Sequence, residues 1–128
     1  MKPTVLIVED SNVLSRELDI TFSQSGWQTF TAPNGILGLD LALTQHPDLI
    51  LLDIMLPEQN GLNLLKKLRV DNWGKTAKVI LLTNVDPNQN QILSQIIDTQ
   101  PSYYLIKADW TPSGIIQRAQ ELISTPNP

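Results

Sequence analysis

Leu49-Ile50-Leu51-Leu52-Asp53 is an apolar run closed by a carboxylate, and an apolar run closed by a polar residue recurs three times along this chain. Val5-Leu6-Ile7-Val8 ends in Glu9-Asp10, Val79-Ile80-Leu81-Leu82 in Thr83, and Tyr104-Leu105-Ile106 in Lys107. A short run that is apolar at every position suits a strand buried on both faces of a parallel sheet. Laid side by side in parallel, the four runs would gather Glu9, Asp10, Asp53, Thr83 and Lys107 at one sheet edge. Three carboxylates, a hydroxyl and an ammonium in one cleft suit a divalent cation and a phosphoryl group.

Helical periods fill the gaps between the runs. Ser11 or Asn12 can cap a helix in which Leu14, Leu18 and Phe22 recur every fourth residue, and Gly26 stops it. Residues 27–32 read as a second strand. Pro33-Asn34-Gly35 opens a helix carrying Ile36, Leu39, Ala42 and Leu43, closed by His46-Pro47. Residues 57–61 read as a loop and 62–68 as a short helix with Leu64, Leu65 and Leu68 inward. A fourth strand is expected over 77–82, a helix over 88–98 with Ile92, Leu93, Ile96 and Ile97 apolar, and a fifth strand over 102–106. Thr111 caps and Pro112 starts a last helix, with Ile115, Ile116, Ala119, Leu122 and Ile123 on one stripe.

Strands alternating with helices predict right-handed βαβ units: an α/β fold, a doubly wound five-stranded parallel sheet with five helices on its two faces. Two strand orders suit five such units. In the order 2-1-3-4-5 the chain reverses between the first and third strands, and a cleft opens beyond their carboxyl ends. Glu9-Asp10 and Asp53 end those two strands.

Composition narrows the function. The 128 residues suggest one domain over 1–124, with a disordered tail at 125–128 where Pro126 and Pro128 cannot continue a helix. No cysteine is present, so thiolate metal sites and disulfides are excluded. A net charge of −4 with nine scattered basic residues argues against direct nucleic-acid binding. The one basic cluster, Lys66-Lys67-Leu68-Arg69, reads as a solvated helix end. No signal peptide and no run of roughly 20 apolar residues is present, so neither export nor membrane insertion is expected, and the cytoplasm is the expected location.

Clustered carboxylates repel one another unless a cation joins them. Oxygen ligands without His or Cys favour Mg²⁺, which takes one or two carboxylates and keeps several waters. Asp53 is then a plausible nucleophile giving an acyl phosphate, with Mg²⁺, Lys107 and Thr83 on the phosphoryl oxygens.

At this point the sequence resembles a known family, the receiver domain of two-component response regulators. The likeness rests on Val8-Glu9-Asp10-Ser11, the run from Pro47 to Pro57 containing Asp53, Asn60-Gly61-Leu62, Leu81-Leu82-Thr83 and Tyr104-Leu105-Ile106-Lys107. It covers nearly the whole chain and implies a flavodoxin-like fold; the order 2-1-3-4-5 is that of the chemotaxis receiver, so the resemblance carries it too. It implies Asp53 as phosphoacceptor, charged by a sensor histidine kinase or phosphotransfer protein. It implies Asp10 and Asp53 as side-chain ligands of Mg²⁺, Met55 as a ligand through its backbone carbonyl, and Glu9 acting through water. Thr83 would move toward the phosphoryl group and Lys107 would pair with it, both gaining partners only in the phosphorylated state. Tyr104 would be the aromatic switch, turning inward as Thr83 moves. The face formed by the last two helices and the fifth strand would then meet a downstream protein or a second copy.

Several residues depart from the family pattern. Ala108 follows Lys107 where proline in a cis bond is usual, which predicts a trans bond and a reshaped loop. Asn84 stands where a small residue is usual and would narrow access to Asp53. Met55 and Val85 offer no group to orient water, predicting slow self-dephosphorylation. Gln100-Pro101 replaces a usual Gly-Ala and alters the turn before the fifth strand. His46 reads as a surface residue, Trp27 and Trp73 as packing residues, and Trp110 as a packing residue bordering the signalling face. Other readings are a Mg²⁺-dependent phosphohydrolase, which would want an acid where Met55 stands; a flavin-binding protein, for which Glu9-Asp10 would repel phosphate; and a receiver-like scaffold.

Overall fold

The computed structural model describes residues 2–57, 59–88 and 92–124, so the expected tail at 125–128 lies outside the described residues. In chain order the main elements are β1 (Thr4–Val8), α1 (Asn12–Gln24), β2 (Gln28–Ala32), α2 (Gly35–Gln45), β3 (Leu49–Leu52), α3 (Gly61–Val70), β4 (Val79–Thr83), α4 (Leu93–Thr99), β5 (Tyr103–Ile106) and α5 (Pro112–Ile123). The five strands form one parallel sheet in the order β2-β1-β3-β4-β5.

The all-apolar runs explain why the sheet is covered on both sides. Successive side chains of a strand point to opposite faces. Leu6, Val8, Ile50, Leu52, Val79 and Leu81 therefore pack on one side with Leu62, Leu64, Leu65 and Leu68 of α3 and Ala42 of α2. Val5, Ile7, Leu49, Leu51, Ile80 and Leu82 pack on the other with Leu18 and Phe22 of α1 and Ile115, Ile116 and Ala119 of α5. Full burial of one such leucine is worth about 1.5–3 kcal/mol.

Local signals set most boundaries. Ser11 accepts the Leu14 N–H at the start of α1, and Asn34 accepts the Leu37 N–H at the start of α2. Thr111 accepts the Gly114 N–H at the start of α5, with Pro112 in its first turn. Gly26, with φ +91°, follows the end of α1 as expected.

Four expectations need correction. Residues 57–61 are not simply a loop: Met55–Leu56 and Gln59–Asn60 form a short antiparallel ribbon, and α3 begins at Gly61. Of the helix expected over 88–98, residues 89–91 lie outside the described residues; Asn88 sits in a turn where the Asp86 side chain accepts its N–H, and the described helix is Leu93–Thr99. In α2 the small residues Gly35, Gly38 and Ala42 are the buried ones, so the helix lies close to the sheet and Ile36 and Leu43 are left exposed.

Arg69 is the fourth correction, since it is not a solvated helix-end charge. Its guanidinium donates to the carbonyls of Thr99 (2.8 Å), Gly74 (2.8 Å), Ala77 (2.7 Å) and Gln100 (3.0 Å). Burial lowers its pKa from the ordinary value. At Gln100-Pro101, Gln100 takes a left-handed conformation, φ 50°, and caps α4.

Candidate active site at the carboxyl edge of the sheet

Register decides where the functional side chains go. Val8 pairs with Leu52, Leu52 with Leu81, and Thr83 with Ile106, so β1 and β3 end level with each other, and β4 and β5 end level with each other two residues further on. The backbone ladder runs one residue past β1 and β3. The Glu9 N–H donates to Ala32 O (3.0 Å) and the Asp53 N–H to Val8 O (3.1 Å). Both acids therefore leave from backbone that the sheet itself holds.

The loop after Asp53 is equally determined. The Gly61 N–H donates to Ile54 O at 2.8 Å, and a Cβ at Gly61 would lie 2.1 Å from the Asp53 carbonyl oxygen. Only glycine fits this approach of the α3 start to the strand end. Asn60 caps α3 by accepting the Leu62 N–H. Met55, with its side chain exposed, donates its own N–H to Asp53 Oδ1 at 3.1 Å.

Glu9, Asp10 and Asp53 each place a carboxylate oxygen within 4.8 Å of the others. Glu9 and Asp53 are both only 4% exposed, whereas Asp10 faces solvent. Lys107 bridges the two buried acids, with Nζ 2.6 Å from Glu9 Oε1 and 2.6 Å from Asp53 Oδ2. One sequence-based expectation gives way here: Lys107 already has partners without any phosphoryl group, and Glu9 is one of them. Both contacts follow from burial: a carboxylate taken out of water needs a cation or donors. Glu9 also accepts the Ser11 N–H at 3.0 Å.

Electrostatics follows this geometry. Burial pushes the Glu9 pKa above the ordinary carboxyl value, with the Lys107 hydrogen bond opposing. Burial would lower that of Lys107, but hydrogen bonds and charge from Asp53 and Glu9 outweigh it, and the net shift is upward. One ammonium among three carboxylates leaves excess negative charge open to solvent at Asp10. This oxygen-only donor set, with one exposed member and no His or Cys, fits a hard divalent cation that keeps part of its water shell.

Thr83 is fully buried at the last position of β4, and its Oγ1 accepts the Val85 N–H at 3.4 Å. Tyr104, one strand over, is half-buried against the α2–α3 side of the core, and its hydroxyl donates to Val85 O. Burial, then the charges of Asp86 and Asp53, push its pKa up to about 12. Among the described residues no peptide bond is cis, so Lys107–Ala108 is trans as expected, and Lys107–Asp109 form a short 3-10 turn. Asn84, expected only to narrow the cleft, accepts the Ala108 N–H at 3.2 Å.

The matching family is the response regulator receiver domain, over residues 5–120. The chain belongs to this family. It is 36% identical over 83 residues to sporulation initiation phosphotransferase F of Bacillus subtilis, a match spanning 65% of this chain and 65% of that protein. It is 34% identical over 105 residues to the DNA-binding transcriptional regulator RpaA of Synechocystis, spanning 82% of this chain and 43% of that one. Each match thus covers less than two thirds of the relative's length. The chemotaxis response regulator CheY4 of Vibrio cholerae superposes with a TM-score of 0.84 at 23% identity, covering 94% of this chain and 98% of that one, a likeness of fold. As a receiver domain the chain is a two-component signalling module. Among the described residues no helix is long and apolar enough to cross a membrane.

The remaining flagged residues divide into core and surface. Trp27 is buried edge-on against Phe22, and Trp110 packs on the α1–α5 side with the Arg118 guanidinium 5.4 Å above its ring. His46 ends α2 in a left-handed conformation and stacks on Trp73 at 4.4 Å, away from the carboxylates. Sequence reading missed the Arg69 staple, the Gly61 approach and the Asn84–Ala108 bond. Asn60-Gly61 was a signal for the second; nothing local signals the other two.

Proposed function

We propose that Asp53 is the phosphoacceptor of a phosphorylation switch charged by a sensor histidine kinase or phosphotransfer protein. An Asp53 carboxylate oxygen attacks phosphorus, the bond to the donor histidine nitrogen breaks with its electron pair leaving on nitrogen, and an acyl phosphate forms. The observation that carries this reading is the buried Glu9–Lys107–Asp53 bridge with Asp10 beside it, all at the carboxyl edge where β1 and β3 diverge. Asp10, Asp53 and the Met55 carbonyl would hold Mg²⁺, with Glu9 acting through water. Bound there, Mg²⁺ supplies positive charge that offsets the repulsion between carboxylate and incoming phosphoryl oxygens.

Switching follows from differences in contact between two states. Lys107 already touches two carboxylates, so it exchanges partners on phosphorylation and contributes only the difference. Thr83 has more to gain, because its buried hydroxyl accepts one long hydrogen bond. Tyr104 holds Val85, the residue whose N–H Thr83 accepts, and is the aromatic switch in this reading. A near-complete shift of a two-state equilibrium needs roughly 5.5 kcal/mol of preference. A few charge-assisted hydrogen bonds, at about 1.5–3 kcal/mol each, reach that order. The output surface is the α4–β5–α5 face, where Leu93 and Ile97 are exposed and would meet a protein partner or a second copy. Met55 and Val85 bring no polar side chain toward an attacking water, so the acyl phosphate is expected to outlast seconds. The module would act in the cytoplasm, without turnover.

The test is direct. With Mg²⁺ and acetyl phosphate, the intact mass of the protein rises by one phosphoryl group, and Asp53→Ala does not gain it. Continuous phosphate release instead identifies a hydrolase. No gain from either acetyl phosphate or a phosphorylated histidine kinase leaves a scaffold.

A further inference from the structure

The turn that carries Lys107 is weakly closed by itself. Its internal bond, from the Trp110 N–H to Lys107 O, is 3.4 Å long. N–H groups at the start of so short a helix lack partners within it. The Ala108 N–H finds one 24 positions back, where the Asn84 side-chain oxygen accepts it at 3.2 Å. A proline at 108 would have no N–H to give. Asn84 adjoins Thr83 in sequence, and Ala108 adjoins Lys107, so one hydrogen bond ties the end of β4 to the turn after β5.

We propose that Asn84 is a positioning residue: by taking the Ala108 N–H it holds the Lys107–Asp109 turn so that the ammonium reaches Glu9 and Asp53 together. Lys107 hangs on a long, rotatable stem, and placing its backbone limits where the charge can go. The neighbouring residue is fastened in the same direction, with the Tyr104 hydroxyl donating to Val85 O. An amide suits the position. It offers the acceptor oxygen of a carboxylate without adding a fourth negative charge beside Glu9, Asp10 and Asp53. Both ends of the bond are exposed, so water competes and the effect is modest. As a statement about phosphoryl transfer, the inference rests on the function proposed above.

The experiment compares the wild type with Asn84→Leu, which keeps the shape without the acceptor, and Asn84→Asp, which keeps the oxygen. In Asn84→Leu the Ala108 amide should exchange about tenfold faster while Leu105 within β5 stays protected, and the Lys107 ε-methylene resonance should move. Asn84→Asp should leave Ala108 exchange near the wild-type rate. With acetyl phosphate and Mg²⁺, Asn84→Leu should lower the maximal rate of Asp53 phosphorylation about threefold to tenfold, with the half-saturating donor concentration unchanged. Equal Ala108 exchange in all three proteins overturns the proposal, as does an unmoved Lys107 resonance or an unchanged maximal rate in Asn84→Leu. Loss of Leu105 protection would mark Asn84→Leu as misfolded, and Asn84→Ala then takes its place. A wild type that accepts no phosphoryl group refutes the proposed function alone; Ala108 exchange and the Lys107 resonance still decide whether Asn84 places the turn.

Discussion

Among the described residues, Lys107 carries the only ammonium touching the acidic cluster, and its two 2.6 Å contacts put it in competition with any divalent cation drawn to the same carboxylates. Removing it leaves Glu9 and Asp53 mutually repelling. Lys107→Ala should therefore bind Mg²⁺ about tenfold more tightly, on the order of 1 kcal/mol of like-charge repulsion in a water-accessible site, measured by calorimetric titration. Weaker binding in the variant would contradict this balance of charge. Tyr104 gives a pH signature. Its ordinary value is 10.0 and its folded value about 12, so the folded protein holds a proton that the unfolded chain releases. The stability this contributes is complete below pH 10 and is lost as pH rises toward about 12. Urea denaturation at about pH 9 and about pH 11 should show an alkaline loss that Tyr104→Phe lacks.

At the scale of elements, the fastening of α4 is the least expected feature. Arg69, near the end of α3, gives hydrogen bonds to Thr99 and Gln100 at the end of α4 and to Gly74 and Ala77 on the way into β4. A cation at a helix C-terminus also meets the negative end of its dipole. α4 is thus pinned at its C-terminal end, while Leu93 and Ile97 lie exposed along it. Arg69→Met keeps the aliphatic stem but strands several carbonyls. It should destabilise the domain by ~2–3 kcal/mol, read from urea unfolding, and speed amide exchange in the last turn of α4 before any change in α1. An effect confined to α3 would disprove the connection. Lys66, one turn earlier, reaches Gln95 at 3.0 Å and adds a second link between the same helices.

Across the whole molecule, the sheet acts as a rigid frame and the cleft as its unbalanced edge. Core residues on both faces are close to fully buried, whereas one end of the sheet concentrates like charge. Folding therefore includes the cost of bringing the carboxylates together, and a bound cation returns part of it. Mg²⁺ at 100 times its Kd should raise stability by about 2.7 kcal/mol, seen as a rise of several degrees in Tm. The rise should vanish in Asp53→Ala and reverse on chelation. An equal rise in Asp53→Ala would place the ion elsewhere.

The sequence by itself determined most of the elements and which acids gather at the sheet edge. Apolar runs such as Leu49–Leu52 can be satisfied only by burial on both faces, caps such as Ser11, Asn34 and Thr111 bond to their own helix starts, and polar residues directly after the runs inherit the strands' positions. Interactions between near neighbours depend on local spacing, which a sequence displays. Only the tertiary structure decided who partners whom: Lys107 with Glu9 as well as Asp53, Asn84 with Ala108, Arg69 with four carbonyls, and α2 turned so that Ile36 and Leu43 face outward. Those contacts join residues far apart in the chain or depend on how closely two elements approach, so their energies are set by packing distance and burial, which no local pattern encodes.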